Sequence, residues 1–329
     1  MEIIRGLHNL QSRHRGCVVT MGNFDGVHHG HQMVIAHLNA KRDELGVPSA
    51  LITFEPLPRE FFQGSAKPGR LTRFHEKMLL LRRAGLDRVL LLPFNERTAK
   101  IEARAVIEDF FVRGLDVRYV VMGDDSRFGR DRVGDYNMLC EAGMKFGFGV
   151  SHMGTLMSGK ERISSTLIRA ALADGDFPTA EKLLGRRYFI MGRVGYGRQL
   201  GRELGVPTAN IHLRRYRAAL AGVFAVEVEL GGNAYWGVAN VGVRPTTGGE
   251  QPLLEAHLFD YAGDAYGQHM TVTFRHKIRA ERAFDSLDLL KVQIADDCTR
   301  ARAWLAGNGA PAPGIAAAPS LEEREGASP

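Results

Sequence analysis

Two domains of different class are predicted: an N-terminal doubly wound α/β domain, then an all-β domain that closes as an antiparallel β-barrel with a C-terminal helix. Three observations carry this. Up to about Met153, short β-rich runs alternate with helical patterns, the rhythm of parallel βαβ units. Beyond Arg187 the chain turns into short extended segments broken by glycine, with no long helix between them. Finally, 329 residues with 44% hydrophobic content suit two cores, at roughly 100 to 200 residues per domain.

In the first part the strands are CVVTMG from Cys17, SALITF from Ser49, RVLLLPF from Arg88 and RYVVMG from Arg118. Helical patterns include HQMVIAHLNAKRDEL from His31 and ARAVIEDFFVRG from Ala103, and a further helical stretch runs from Ser164 to about Leu184. In the second part the extended segments are YFIMGRVG, GVFAVEVELGG, AYWGVANVG, LLEAHLFD and MTVTFRHKIR. A last amphipathic stretch places Leu287, Leu290, Ile294 and Cys298 at helical spacing and is expected to cap the barrel. The Ala, Pro and Gly-rich segment that follows has no aromatic residue and is expected to be disordered. The boundaries expected are 1–185, 186–306 and a tail of 307–329.

The formal charge of +6 suits a polyphosphate ligand as well as nucleic acid, and charge alone does not choose. Cys17, Cys140 and Cys298 are an odd number without metal-ligand spacing, which argues against a disulfide scaffold or a zinc site and for a reducing cytoplasm. No run approaches the roughly 18 apolar residues of a membrane span, and the N-terminus has no apolar signal-peptide core. The expectation is a soluble protein with no membrane and no nucleic-acid partner.

The chemistry concentrates in GNFDGVHHGH, directly after the first of these strands. In doubly wound sheets ligands bind at the carboxyl ends of strands. Gly22, Gly26 and Gly30 allow close backbone approach, and the helix that follows offers unpaired amides to an anion. His28 and His31, three apart, face one side of the first turn, where imidazoles donate to phosphate oxygens; His29 points elsewhere. A transition-metal site, or histidines without a role, remain alternatives on spacing alone. A second element, ISSTLIR, offers Ser164 or Ser165 as a helix cap and Arg169 on the first turns, groups that suit a polyphosphate.

These two motifs together resemble the adenylyltransferase half of the bacterial bifunctional riboflavin kinase/FMN adenylyltransferases, and the resemblance runs from Arg5 to about Leu305. It implies a Rossmann-like nucleotidyltransferase domain in which the FMN phosphate attacks the α-phosphorus of ATP, giving FAD and pyrophosphate. Positioning and electrostatic stabilisation carry such a reaction without a protein nucleophile. His28, His31 and Arg169 are the implied catalytic residues, with Asn23, Phe24, Asp25, Asp125, Ser164, Ser165 and Thr166 around the ATP beside Gly22 and Gly26. Class I aminoacyl-tRNA synthetases share an HxGH signature, but ISSTLIR stands where they carry a lysine-rich loop. Two departures from the family pattern are Leu57 in FEPLP, at a usual histidine, and Ser126 in GDDSRFG, at a usual phenylalanine.

In the second domain, GRVGYGRQLGRELGVPTANI holds five glycines, which fits either a phosphate cradle or a turn-rich connection. It lacks the P-loop pattern, and no helix follows it. GRELGVPTANI resembles the riboflavin kinase motif, with Val206 at a usual phenylalanine. The resemblance implies ATP contacts at Gly195, Gly201, Gly205 and Pro207, and Thr208 and Asn210 holding Mg²⁺ and the phosphates. Glu255, in a strand, matches the catalytic glutamate that accepts the ribityl hydroxyl proton; a solvated strand carboxylate is the alternative. Arg244, Thr246 and Arg279, with Glu255, are placed around the flavin, and Glu281 in a flavin-covering loop. The implied partners are riboflavin, FMN, FAD and MgATP. Two rivals stay open: a kinase whose first domain has lost activity through Leu57 and Ser126, and a non-catalytic flavin-responsive or RNA-binding protein.

Overall fold

The computed structural model describes residues 1–63, 69–124, 126–154, 156–158, 161–196, 205–213, 217–243 and 252–308. Asp125, Gly201, Arg244, Thr246 and the tail from 309 lie outside the described residues. The chain forms two compact units, one of residues 1–168 and 183–185, the other of 169–182 and the residues from 186.

The first unit is built on six strands, β1 (Glu2–Arg5), β2 (Val18–Met21), β3 (Ser49–Glu55), β4 (Arg88–Pro93), β5 (Tyr119–Gly123) and β6 (Gly149–Met153). They are all parallel, in the order β1-β4-β3-β2-β5-β6. From β2 the chain winds outward through β3 and β4 on one side and through β5 and β6 on the other. The switch point of the sheet therefore lies between β2 and β5, where such folds bind ligands. The unit's helices are α1 (His29–Leu45), α2 (Pro58–Phe62), α3 (Phe74–Arg83), the short α4 (Glu96–Ala99) and α5 (Ala103–Ala105), a π-type helix at Val106–Gly114 and α6 (Tyr136–Phe146), with a small hairpin, β7 (Met157–Ser158) and β8 (Glu161–Arg162); α7 (Ser165–Asp174) and α8 (Phe177–Leu184) follow, and residues 169–182 of these two helices belong to the second unit.

Both faces of the sheet are covered, so the central strands read as continuous apolar runs. Cys17, Val19, Ile52 and Leu90 meet Ile107, Phe110 and Phe111 of the π-type helix on one side. Burial pushes the Cys17 thiol up to about 12, against a smaller opposing pull from Arg88; this cysteine is a packing residue, not a nucleophile. The edge strands β1 and β6 have no such apolar signature: β6 is GVSHM, with no buried residue.

The stretch expected as one helix from Ser164 breaks into α7 and α8. Gly175 takes a left-handed φ of +82°, and a side chain there would come within 2.6 Å of Lys277. Asp176 then restarts the helix by accepting from the Thr179 N–H at 3.0 Å. Its hydrogen bonds to the Thr179 side chain and backbone hold the carboxyl below its ordinary range.

In the second unit β9 (Phe189–Arg193), β10 (Ala209–His212), β11 (Gly222–Leu230), β12 (Asn233–Val243), β13 (Pro252–Leu258) and β14 (His269–Arg279) form an antiparallel sheet in the order β10-β13-β12-β11-β14-β9. A bridge between Gly195, just past β9, and Asn210 of β10 joins the two ends and closes the barrel. Gly231 and Gly232, with φ of +58° and +79°, make the two-residue turn between β11 and β12, the hairpin that paired glycines favour. Alternation along β11 sends Phe224, Val226 and Val228 inward, where they meet Ala239, Ala256, Val272 and Phe274, all at most 1% exposed. Phe177 of α8 packs its ring on Phe224 and Phe274, with centroids 5.9 and 6.3 Å apart. Phe224→Ala is expected to cost about 3–5 kcal/mol. Both tryptophans, Trp236 and Trp304, lie in this unit, so the loss reads directly as a lower midpoint in denaturation followed by tryptophan fluorescence.

The C-terminal helix α9 (Leu287–Gly307) starts at Ser286, whose hydroxyl accepts from the Leu289 N–H at 3.2 Å. It lies along the barrel wall, with Ala301 and Leu305 against Val223, Ala225, Val238 and Ile278. Leu287, expected on the buried stripe, is 57% exposed. The buried stripe instead includes Asp297, because Arg279 of β14 grips that carboxylate through Nε and a terminal nitrogen at 2.8–3.0 Å.

Candidate functional sites

The loop after β2 is shaped by left-handed backbone at Phe24 (φ +48°), Gly26 (φ +89°) and Val27 (φ +40°). At Gly26 a side chain would meet Leu71 at 2.8 Å, so glycine is required there. His28 is the N-cap of α1, and its Nδ1 accepts from the His31 N–H at 3.4 Å. In that tautomer the His28 proton sits on Nε2. The two imidazoles stack at 3.7 Å between centroids, and the His31 ring stacks in turn on Phe24 at 4.5 Å. His29 turns away, against Gly185.

Asp25 is buried and faces the protein: its carboxylate accepts from the Leu71 N–H at 3.1 Å and from the Thr72 N–H at 3.0 Å and hydroxyl at 3.3 Å. Its carbonyl accepts from the Ser165 hydroxyl at 2.9 Å, which ties the second motif to the first. The Asn23 carbonyl accepts from Thr53 Oγ1 at 3.4 Å, and Gly22 donates its N–H to the Ile52 carbonyl. Ser164 is the residue that caps α7, accepting from the Leu167 N–H at 3.3 Å. Thr166 is exposed, and Arg169 follows Ser165 one turn later in the same helix.

Leu57 is buried at the start of α2. Ser126 lines a small cavity with Met21, Met122, Phe128 and Leu139. Sequence reasoning missed an aromatic patch at the carboxyl edge of the sheet. Phe54 of β3 and Phe61 and Phe62 of α2 all meet Phe94 edge-on, at 5.5–5.6 Å, and Phe62 is 67% exposed. Adjacent phenylalanines in the polar context PREFFQ were the available signal.

On the barrel, Asn210 pairs with Glu255 and Glu255 with Asn240 across β10, β13 and β12. Directly paired residues share a face, so these three form one polar row on the outer wall. Asn210 is buried; its Nδ2 donates to the Thr208 carbonyl at 3.4 Å, and its Oδ1 has no hydrogen-bond partner among the described residues. The His257 ring Nδ1 donates to the Pro207 carbonyl at 2.8 Å and so pins the segment that carries Thr208. Gly195 holds Asn210 from the other side, donating its N–H to that residue's carbonyl at 2.9 Å. Gly205 is left-handed, with φ +77°.

Glu281 reaches over Gly242, where a side chain would occupy the place of its carboxylate. Burial raises the Glu281 carboxyl, the nearby Glu255 adds to this, and a hydrogen bond from Asn240 and the charge of Arg279 oppose it. Arg279 itself commits its guanidinium to Asp297 and to the Ala280 carbonyl.

A parallel α/β unit with an imidazole stack at its switch point, joined in one chain to a closed barrel with a polar Asn-Glu-Asn row, points to the class of nucleotide-using transferases with two active centres. Comparison with known proteins makes this specific. The family model of FAD synthetase matches residues 10–167 and that of riboflavin kinase matches residues 184–305. The bifunctional riboflavin kinase/FMN adenylyltransferase of Pseudomonas fluorescens is 48% identical over 313 residues, covering 93% of this chain and 98% of that protein. Its counterparts in Haemophilus influenzae and Escherichia coli K12 are each 47% identical, over 92% of this chain and 99% and 97% of theirs. A solved structure described as a macrolide-efflux protein from Streptococcus pneumoniae superposes with a TM-score of 0.77 at 30% identity, over 92% of this chain and 99% of that one. The chain belongs to the family of bifunctional riboflavin kinase/FMN adenylyltransferases. No helix among the described residues is long and apolar enough to cross a membrane.

Proposed function

We propose that residues 186–306 phosphorylate riboflavin to FMN and that residues 1–185 join FMN to the adenylyl group of ATP, releasing pyrophosphate. The observation that carries the assignment is the Ser165–Asp25 hydrogen bond, which brings the two sequence motifs together at the switch point of the sheet. In the first domain an FMN phosphate oxygen attacks the α-phosphorus and pyrophosphate departs. His28, held as an N-cap, and His31, held in the ring stack, donate to phosphate oxygens as charge moves onto the leaving group; the Arg169 guanidinium adds fixed positive charge. Ser164, Ser165 and Thr166 place the start of α7, and its N-terminal amides, at the nucleotide. The Phe54, Phe61, Phe62 and Phe94 patch offers the isoalloxazine ring an apolar stacking surface.

In the barrel, Glu255 accepts the ribityl 5′-hydroxyl proton as that oxygen takes the γ-phosphoryl group and ADP leaves. Asn210 Oδ1, without a hydrogen-bond partner among the described residues, and Thr208 two residues before it would offer oxygen ligands to Mg²⁺, whose shell substrate phosphates and water would complete. Bound there, Mg²⁺ would neutralise phosphate charge. A cytoplasmic setting suits the three free cysteines and the demand for ATP.

Purified protein incubated with riboflavin and MgATP is expected to yield FMN first and FAD after it, separated by chromatography over time. A reaction that stops at FMN, with added FMN giving no FAD, would overturn the assignment of the first domain.

A further inference from the structure

Beneath the nucleotide loop, in the first turn of α3, lies Lys77, a residue 2% exposed. Its Nζ donates to the Asn23 carbonyl at 3.3 Å and to Thr53 Oγ1 at 3.2 Å, and that hydroxyl donates to the same carbonyl. Around it stand Asp25 of the loop, Glu55 of β3, Glu60 of α2 and Arg70 of the segment before α3, with Arg73 and Glu76 at the helix's own start. Arg70 spends its guanidinium on Glu55 and Glu60, 2.8 and 2.6 Å away. Desolvation first, and Arg70 second, bring the Lys77 pKa down to about 8, while Glu55, Asp25 and Glu60 pull the other way.

The sign of this shift is informative. Below about pH 8 lysine is protonated in both folded and unfolded chains, and the folded state bears the full cost of the buried charge. Between about 8 and the ordinary value of 10.5 the folded chain sheds its proton first, and the cost is relieved. Lys77 therefore works against stability at neutral pH, in a place where a methionine would pack without that cost. What it does instead is hold one carbonyl, directly ahead of the left-handed Phe24 that starts the ring stack on His31 and His28.

We propose that Lys77 is a positioning residue for adenylyl transfer, its ammonium fixing the Asn23 carbonyl and through it the loop that sets the Phe24–His31–His28 stack. The inference rests on reading the first domain as the adenylyltransferase. The test measures FAD formation from FMN and MgATP between about pH 6.5 and 9.5 for the wild type, K77R and K77M, with FMN formation from riboflavin followed in the same samples. Wild-type kcat/KM is expected to fall above pH 8 as the charged donor gives way to a weaker neutral amine, and K77R, which stays charged, to remain flat there. K77M is expected to be at least about 30-fold slower at pH 7, with a raised KM for ATP and a flat profile, while FMN formation stays within about twofold of wild type. Equal rates and profiles in wild type and K77M would overturn the proposal. If K77M loses the melting transition of its first domain, wild type against K77R still decides, and the same decline above pH 8 in both refutes it. A wild type that makes no FAD at any pH refutes the adenylyltransferase reading itself.

Discussion

Glu255→Ala is expected to lower the kcat of riboflavin phosphorylation by about 10²–10⁴ and to leave added FMN convertible to FAD. The expectation follows from where Glu255 sits. It lies mid-strand in β13, flanked across the sheet by Asn210 and Asn240, so its backbone is fixed and its carboxylate faces the row that carries the proposed metal oxygen. Truncation removes the proton acceptor but no core contact, because Leu254 and Ala256 on either side point inward and remain. Glu255→Gln keeps the shape and loses the basicity, so it should be as inactive as alanine; Glu255→Asp should retain a measurable fraction. Product chromatography with riboflavin and then with FMN separates the outcomes. Loss of both activities would point to damage to the fold rather than to the base.

His31→Ala and His28→Ala are each expected to lower FAD formation by about 10²–10³, the usual loss when one donor to a developing charge is removed. His28 has two functions that need separating. As N-cap it satisfies the His31 amide, and losing a cap costs about 1 kcal/mol of stability. As a ring it stacks on His31 and presents Nε2. His28→Asn restores the cap without the ring, so its thermal midpoint should match wild type while FAD formation stays as low as in His28→Ala. Recovery of activity in the asparagine variant would mean that the cap, and not the imidazole, matters. FMN formation should be untouched in all three variants.

Much of the fold was legible because its central strands are buried on both faces and read as apolar runs. The change of rhythm near Arg187 likewise exposed the barrel. The elements that escaped were the ones whose stability is not local. β1 and β6 form at the sheet edges only because a neighbour offers a ladder, and the break between α7 and α8 depends on Gly175 meeting Lys277, about a hundred residues away. The stripe on α9 was read as purely apolar, yet it carries Asp297, which is buried because β14 supplies Arg279.

The candidate sites follow the same division. His28, Gly26 and Ser164 announce themselves by type and spacing, since a cap, a left-handed turn and a helix start are short-range events. Asp25 matches the loop motif, but which way its carboxylate turns is fixed by Leu71 and Thr72, far along the chain. Lys77 had no signal at all: a lysine in a helical stretch reads as solvated, and only the packing of α3 under the loop makes it an interior cation.

Among the described residues, the one backbone pairing that joins the β9 end of the sheet to β10 is the bridge between Gly195 and Asn210. Among the described residues the barrel is thus a six-strand band whose backbone clasp is this bridge, and the clasp contains Asn210. Local openings of such a band begin at its weakest join, so amide protons of β9 and β10 should exchange ahead of those of β11, which is laddered on both sides. A nucleotide bound at Asn210, as proposed, would hold that clasp, so that occupancy and closure of the join would be linked. By mass action each tenfold rise in ligand over its dissociation constant would then add about 1.4 kcal/mol to the closed barrel.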